Sequence, residues 1–245
     1  MKKSLFTFII ALLVLTGPLM AQKRLYFGIS GTGLSSVIVN QNNYGLPFEM
    51  DYAFTMGIGS NANIGFDFSN HFGLKLEIGW AKLGQKYEDV YNDTIYTRNI
   101  MLNYLQIPLM FKFRTGGEVA KFYVMAGPQF NILLSAKQDY LKQQDIWDDQ
   151  YTPGGWTKPI KIGESTITDR YNSLDIMARI DFGVDIQIIP NLFLNAGMTF
   201  AYGFLDINAP DYQITNKDGN YDPSHNGYGG MNVGINYVLP VGGKK

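Results

Sequence analysis

Phe54-Thr55-Met56-Gly57-Ile58-Gly59-Ser60-Asn61-Ala62-Asn63-Ile64-Gly65-Phe66-Asp67-Phe68 carries two kinds of side chain in alternation. Phe54, Met56, Ile58, Ala62, Ile64, Phe66 and Phe68 share one parity, and only Ser60 interrupts them. Thr55, Gly57, Gly59, Asn61, Asn63, Gly65 and Asp67 share the other. Successive strand side chains point to opposite faces, so a period of two predicts a two-faced β-strand. The apolar face is broad, and the polar face is made of small residues.

The same period recurs along the chain and predicts eight strands, near 24–34, 53–68, 72–86, 99–114, 121–136, 173–189, 192–205 and 227–239. Most exceed the about 9–11 residues that a tilted strand needs to cross a bilayer. Short connections fall at 69–71, 115–120 and 190–191, and long ones at 35–52, 87–98, 137–172 and 206–226. Counted from the first strand, all short connections and both termini lie at one end, the habit of outer-membrane barrels with short periplasmic turns. The expected fold is therefore all-β: an eight-stranded, antiparallel, up-and-down transmembrane β-barrel.

Composition agrees. Charged residues make up 17% of the chain, below the about 25% of soluble domains, and aromatics 14%. After the N-terminal segment no apolar run approaches the ~18 residues of a transmembrane helix. A soluble barrel is the alternative, but its outer face would be rich in Lys and Glu. Phe54, Phe68, Phe72, Trp80, Phe113, Phe122, Tyr202 and Tyr237 stand near strand ends, where interface girdles form.

Lys2 and Lys3 precede an apolar stretch from Leu5 to Leu15, broken by Gly17 and Pro18 and followed by Met20-Ala21. This layout predicts a secretory signal peptide over 1–21 and a single barrel domain over 22–245. The net charge is −1, and −3 once Lys2 and Lys3 are gone, which offers no basic surface for nucleic acid. Cys is absent, so disulfides do not hold the exported chain.

The polar faces carry Asp67, Lys75, Glu77, Lys112, Arg114, Asp175, Arg179, Asp181 and Asp185. Facing lipid, each costs on the order of 2–4 kcal/mol near the midplane. Facing inward they can pair, and the interior of an eight-stranded barrel is just wide enough for side chains to fill. A charge network of Lys75, Glu77, Lys112, Arg179, Asp181 and Asp185 is expected inside, with Arg179 and Asp181 pairing at mid-barrel. An ion path along these charges is the other reading.

No catalytic, cofactor or metal site is expected. His71 and His225 fall at opposite ends, and Ser224 beside His225 is a poor nucleophile–base pair. Asn216, Asp218, Asn220 and Asp222 alternate like calcium ligands, but the Gly is misplaced and the closing Glu is lacking. Gly28, Gly31 and Gly33 lack the third glycine and the helix of a dinucleotide fingerprint. Trp147, Tyr151 and Trp156, with Tyr140, give the longest outer loop an aromatic character that suits either partner contacts or a cap over the barrel.

Asn103-Tyr104-Leu105-Gln106-Ile107-Pro108-Leu109 resembles the YLEIPL segment of the Bacteroidetes outer-membrane β-barrel family, the PorT-like group. Phe122 to Pro128, Leu133 to Ala136, Phe182 to Val184, Phe200 to Phe204 and Phe72 to Ile78 resemble further strands of that pattern. The likeness spans about 25–239. It implies an eight-stranded barrel in contact with outer-membrane lipid, and envelope or type IX secretion proteins as partners. It assigns no activity. The C-terminus departs from a usual barrel ending, because Val-Leu-Pro-Val-Gly-Gly-Lys-Lys follows Tyr237, and the end of the last strand stays open. Asp93-Thr94-Ile95 resembles the Asp-Thr-aliphatic sequence that Bacteroidetes O-glycosylate, which marks Thr94 for modification. The expected role is non-enzymatic: structure, envelope interaction or secretion through the outer loops. A small diffusion channel and a lipid-modifying enzyme are the alternatives.

Overall fold

The computed structural model describes residues 23–40, 50–92, 94–115, 117–144, 158–215 and 219–239. The strands are β1 (Arg24–Val39), β2 (Asp51–Ala53), β3 (Met56–Asp67), β4 (Phe72–Tyr91), β5 (Thr94–Arg114), β6 (Ala120–Gln144), β7 (Ile160–Thr166), β8 (Leu174–Ile189), β9 (Leu192–Gly203) and β10 (His225–Leu239). Eight of them form a closed antiparallel ring in the order β1, β3, β4, β5, β6, β8, β9, β10. The ring closes from Leu25↔Leu239 to Val39↔His225, so the last strand is paired as far as Leu239. The short β2 and β7 lie outside the ring and pair with the outer parts of β4 and β6.

The apolar parity faces outward. Ile29, Ile58, Ile78, Phe122 and Met231 are exposed, whereas Asn63, Lys75, Lys112, Asp181 and Asn236 are buried. That is the pattern of a wall in lipid around a polar interior. At the end where β1 begins and β10 finishes, the rings of Phe27 and Tyr237 lie together, and those of Phe111 and Phe113 flank Phe72, as parts of an aromatic girdle.

Beyond the wall the pattern reverses. On β4 the outward series Leu74, Leu76, Ile78, Trp80 gives way to Lys82, Lys86 and Glu88. Its inward series Lys75, Glu77 gives way to Ala81, Leu83 and Tyr87. On β5 outward Leu109, Ile107 and Leu105 yield to Asn103 and Asn99, while Tyr104, Leu102 and Ile100 turn inward. Lipid solvates apolar groups and water solvates charged ones, so the crossover from Trp80 to Lys82 marks the outer interface.

This reversal corrects the connections expected from sequence. The segment 87–98 is no loop: β4 and β5 stay paired out to Tyr91↔Thr94. Asn92, at φ 48°, takes the left-handed turn position that Asn tolerates. Within 137–172, residues 137–144 continue β6 and β7 folds back on 137–142. Strand β1 likewise continues to Val39, and Phe54 lies between β2 and β3 rather than on a strand. On β6 an extra residue, Leu134, enters between the pairs Tyr104↔Leu133 and Asn103↔Ser135. This bulge keeps Leu133 inside and brings Ala136 inside three residues later.

The reversed segment has its own apolar core. Leu34, Ile38, Leu83, Tyr87, Ile100, Leu102 and Tyr104 pack with Ile167, Tyr171 and Ile207 from the loops across the outer mouth. Gly84 sits in this wall at φ +145°, where a Cβ would strike the Ile100 carbonyl. Replacing Leu102, wholly buried in this plug, by Ala is expected to cost about 2–5 kcal/mol, whereas Leu76→Ala on the lipid face leaves no cavity. Urea unfolding of the reconstituted barrel measures both, and equal costs would show that the plug is not packed.

Candidate functional site

Alternation places residues two apart on one face, and this builds the interior. Lys75 and Glu77 on β4 point inward together, as do Arg179 and Asp181 on β8. The Lys75 ammonium lies 2.6 Å from one oxygen of Glu77. The Arg179 guanidinium is 3.0 Å from the other and donates two parallel bonds of 2.8 Å to Asp181. Such a fork fixes both partners in plane. Arg179 also reaches Gln129, whose Oε1 accepts the Tyr228 hydroxyl at 2.8 Å. The chain continues from Gln129 to Asn131, then to Asp175, which accepts from Asn226 at 2.9 Å. Asn226 donates in turn to the Tyr104 hydroxyl, at the floor of the apolar plug.

Lys112 and Asp185 stand apart from this chain. They pair at 2.5 Å nearer the periplasmic end, with the rings of Tyr26, Tyr123 and Phe193 around the ammonium. Below them Arg114 binds Asp67 at 2.8 Å. The six residues expected as one network thus form two clusters, with a cavity of about 10 Å³ lined by Lys75, Lys112, Asp185 and Asn236 between them. That is room for about one water molecule. Ion pairs and amides fill the lower barrel, and the apolar plug fills the upper.

Outside the membrane, a carboxylate organises the loop between β9 and β10. Asp206 accepts from the backbone amides of Asn208 and Ser224 through one oxygen, both at 3.0 Å. The other oxygen accepts from Tyr221 at 2.6 Å and Gln213 at 2.9 Å. Burial and the bond to Asp206 push the Tyr221 hydroxyl up to about 12. Sequence reasoning missed Asp206, because its four donors come from a loop with no period to reveal them. On the outer ribbon, Lys161 pairs with Asp139 and Glu164 on the solvent side, and these bonds raise Lys161 and lower Glu164. On the other face Arg98 clasps Gln138 through two nitrogens, at 3.0 and 3.1 Å.

His71 stacks on Phe113 at the periplasmic turn, and His225 contacts the Leu205 carbonyl at the outer mouth. Ser224 donates to the Asn40 carbonyl and accepts from Asn208, so its hydroxyl is engaged in the loop. Among the described residues no group of His, Asp or Glu is arranged to hold a metal ion. Thr94 opens β5 opposite Tyr91, half-buried at the ribbon tip, and donates to the Asn92 carbonyl. Trp147, Tyr151 and Trp156 lie outside the described residues, as do Asn216 and Asp218.

Residues 18–209 match the outer membrane protein beta-barrel domain. The chain belongs to that family. The family, the lipid-facing wall and the closed ring place it in the outer membrane. Similar solved structures include neisserial surface protein A, at 10% identity over 88% of this chain and 97% of that one, with a TM-score of 0.43. The N-terminal β-barrel domain of Pseudomonas aeruginosa OprF is 13% identical over 86% and 97%, with a TM-score of 0.37. Ail, the attachment invasion locus protein of Yersinia pestis, is 12% identical over 88% and 99%, also at 0.37. No curated protein matches the sequence.

Truncating one member of a buried ion pair strands the other without compensation, which costs about 3–5 kcal/mol. Arg179→Met, which abandons both Glu77 and Asp181, is expected to destabilise the barrel by this amount. The double change Lys112→Met with Asp185→Leu removes a whole pair and is expected to fall within about 1 kcal/mol of wild type. Unfolding midpoints in liposomes compare them, and an Arg179→Met barrel as stable as wild type would show that the central fork contributes nothing.

Proposed function

We propose that this protein is a non-enzymatic outer-membrane barrel that holds a rigid extracellular β-ribbon in place for envelope or secretion partners. One observation carries the reading: among the described residues, ion pairs and the apolar plug fill the interior, while β4, β5 and β6 extend far beyond it. Strand β6 has 25 residues, more than twice the about 9–11 that cross a bilayer. The extra length is spent outside, in a sheet of β2, β4, β5, β6 and β7 with an ion-paired outer face. The filled interior speaks against a diffusion channel. The two histidines, at opposite ends of the barrel, supply no shared acid–base site for a lipid-modifying enzyme.

The finer reading is a part in type IX secretion, resting on the PorT-like resemblance of Asn103 to Leu109 and its companion strands. In this reading residues 1–21 are removed on export, and Gln22 begins the mature chain. Thr94, at the tip of the ribbon, is the O-glycosylation site, and the aromatic residues Trp147, Tyr151 and Trp156 contribute to partner contacts.

Three measurements test the proposal. Purified protein in planar bilayers is expected to give no stepwise conductance; steady unitary steps would instead make it a channel. In a clean deletion strain, surface cargo is expected to accumulate in the periplasm, and an unchanged surface proteome would remove the secretion role. The peptide carrying Thr94, taken from native cells, is expected to be heavier than its sequence by a glycan.

A further inference from the structure

The ribbon ends in an open edge. Strand β7 pairs with β6 on one side, and among the described residues no strand pairs with its other side. Every residue of β7 except Gly163 is exposed. The ladder tells where its backbone groups point. The Ile167 amide donates to the Ala136 carbonyl at 2.9 Å, in the register that pairs Thr166 with Lys137 and Ser165 with Gln138. Antiparallel neighbours alternate between bonded and non-bonded pairs, so Ser165 and Gly163 turn their amides and carbonyls to β6. Glu164 and Thr166 turn theirs to the open side. Such a row is complementary to one kind of ligand, the backbone of another extended chain.

Sheet edges in water are ordinarily blunted by shortness, by proline or by charge. At the opposite edge of the ribbon β2 has only three residues, whereas β7 has seven. The charges of β7 do not guard it. Lys161 is held by Asp139 at 3.1 Å and by Glu164 at 2.6 Å, and Lys137 lies 3.8 Å from Glu164. Two bases and two acids thus pair off along the sheet, and the edge presents no net charge to an incoming strand. Ile160 and Ile162 stand in water at 58% and 54% exposure, beyond the apolar wall. The irregularity that leaves Ile162 without a partner on β6 comes before Gly163, so the ladder is regular from there to Thr166.

We propose that the open edge of β7 takes up an extended segment of a partner protein as a further strand of the ribbon, a segment whose side chains alternate between apolar and uncharged polar. This rests on the reading of the ribbon as the partner-holding part and names the mode of contact. The added strand bonds to the outward groups of Glu164 and Thr166, and its apolar side chains lie beside Ile160 and Ile162.

Amide hydrogen exchange of the protein in native outer membranes is compared with that of the purified barrel in detergent. The Glu164 and Thr166 amides are expected to exchange about tenfold more slowly in the native membrane, the worth of one added hydrogen bond, while Ser165 and Gly163 exchange slowly in both. Thr166→Pro removes one outward amide and spares the ladder with β6, as the Ser165 and Gly163 amides check. In that variant the native-membrane slowing at Glu164 is expected to shrink about fivefold. Equal exchange of Glu164 and Thr166 in the two settings overturns the proposal. A slowing that Thr166→Pro leaves unchanged also overturns it, since a cover that does not bond to the edge ignores the proline. So does a disulfide between two Thr166→Cys copies in the native membrane, which assigns the edge to a second copy of the chain. A deletion strain with displaced surface cargo, together with equal exchange at the edge, removes this proposal alone and leaves the reading of the ribbon standing.

Discussion

Hydrocarbon offers no partner to a peptide N–H or C=O, and each one left unpaired costs several kcal/mol there. The pairing of β1 with β10 along their whole length answers this constraint, because it leaves the ring without an open edge. Everything else follows from closure with eight strands. The bore that results is narrow, so inward side chains must fill it and satisfy one another. Residues two apart on one strand become ion partners, as with Lys75 and Glu77 or Arg179 and Asp181. Partners from opposite walls, such as Glu77 and Arg179, tie the cylinder across its diameter.

Closure also explains why the sequence is legible where it is. Along 54–68 one face meets lipid and the other a polar bore, so alternation is clean and the strand is read directly. The parity of Lys75, Glu77, Lys112, Arg179, Asp181 and Asp185 follows from the same rule, and all six side chains are buried. Division into two clusters was not legible, because it depends on strand stagger, which pairing sets and periodicity does not report. The outer parts of β4 and β5 were read as loop for a related reason. Past Trp80 the solvents on the two faces exchange, and a reading that follows the outward apolar series stops at the exchange. Lys86, Glu88 and Asn99 still alternate with Tyr87, Arg98 and Ile100, but in the opposite sense.

The loops yield least. Asp206 gathers four donors from 208 to 224, and nothing in the order of those residues distinguishes them from ordinary polar loop composition. Their meeting depends on the short helical turn Pro210–Tyr212 and on the bridge of Tyr171 to Asn208. Tertiary contacts of this kind carry no local signal. By contrast, Leu134 could be noticed in sequence, since Leu133 and Leu134 put two apolar residues side by side where alternation allows one.

The ribbon rises from β4, β5 and β6 alone, while β1, β8, β9 and β10 stop near the mouth. A plain cylinder looks the same from every side to its neighbours in the membrane. This one has a front and a back. As the barrel spins about the membrane normal its ribbon sweeps a circle, and a partner that grips the ribbon stops the rotation and fixes which wall faces which neighbour. The molecule thus carries a compass bearing within the plane of the membrane.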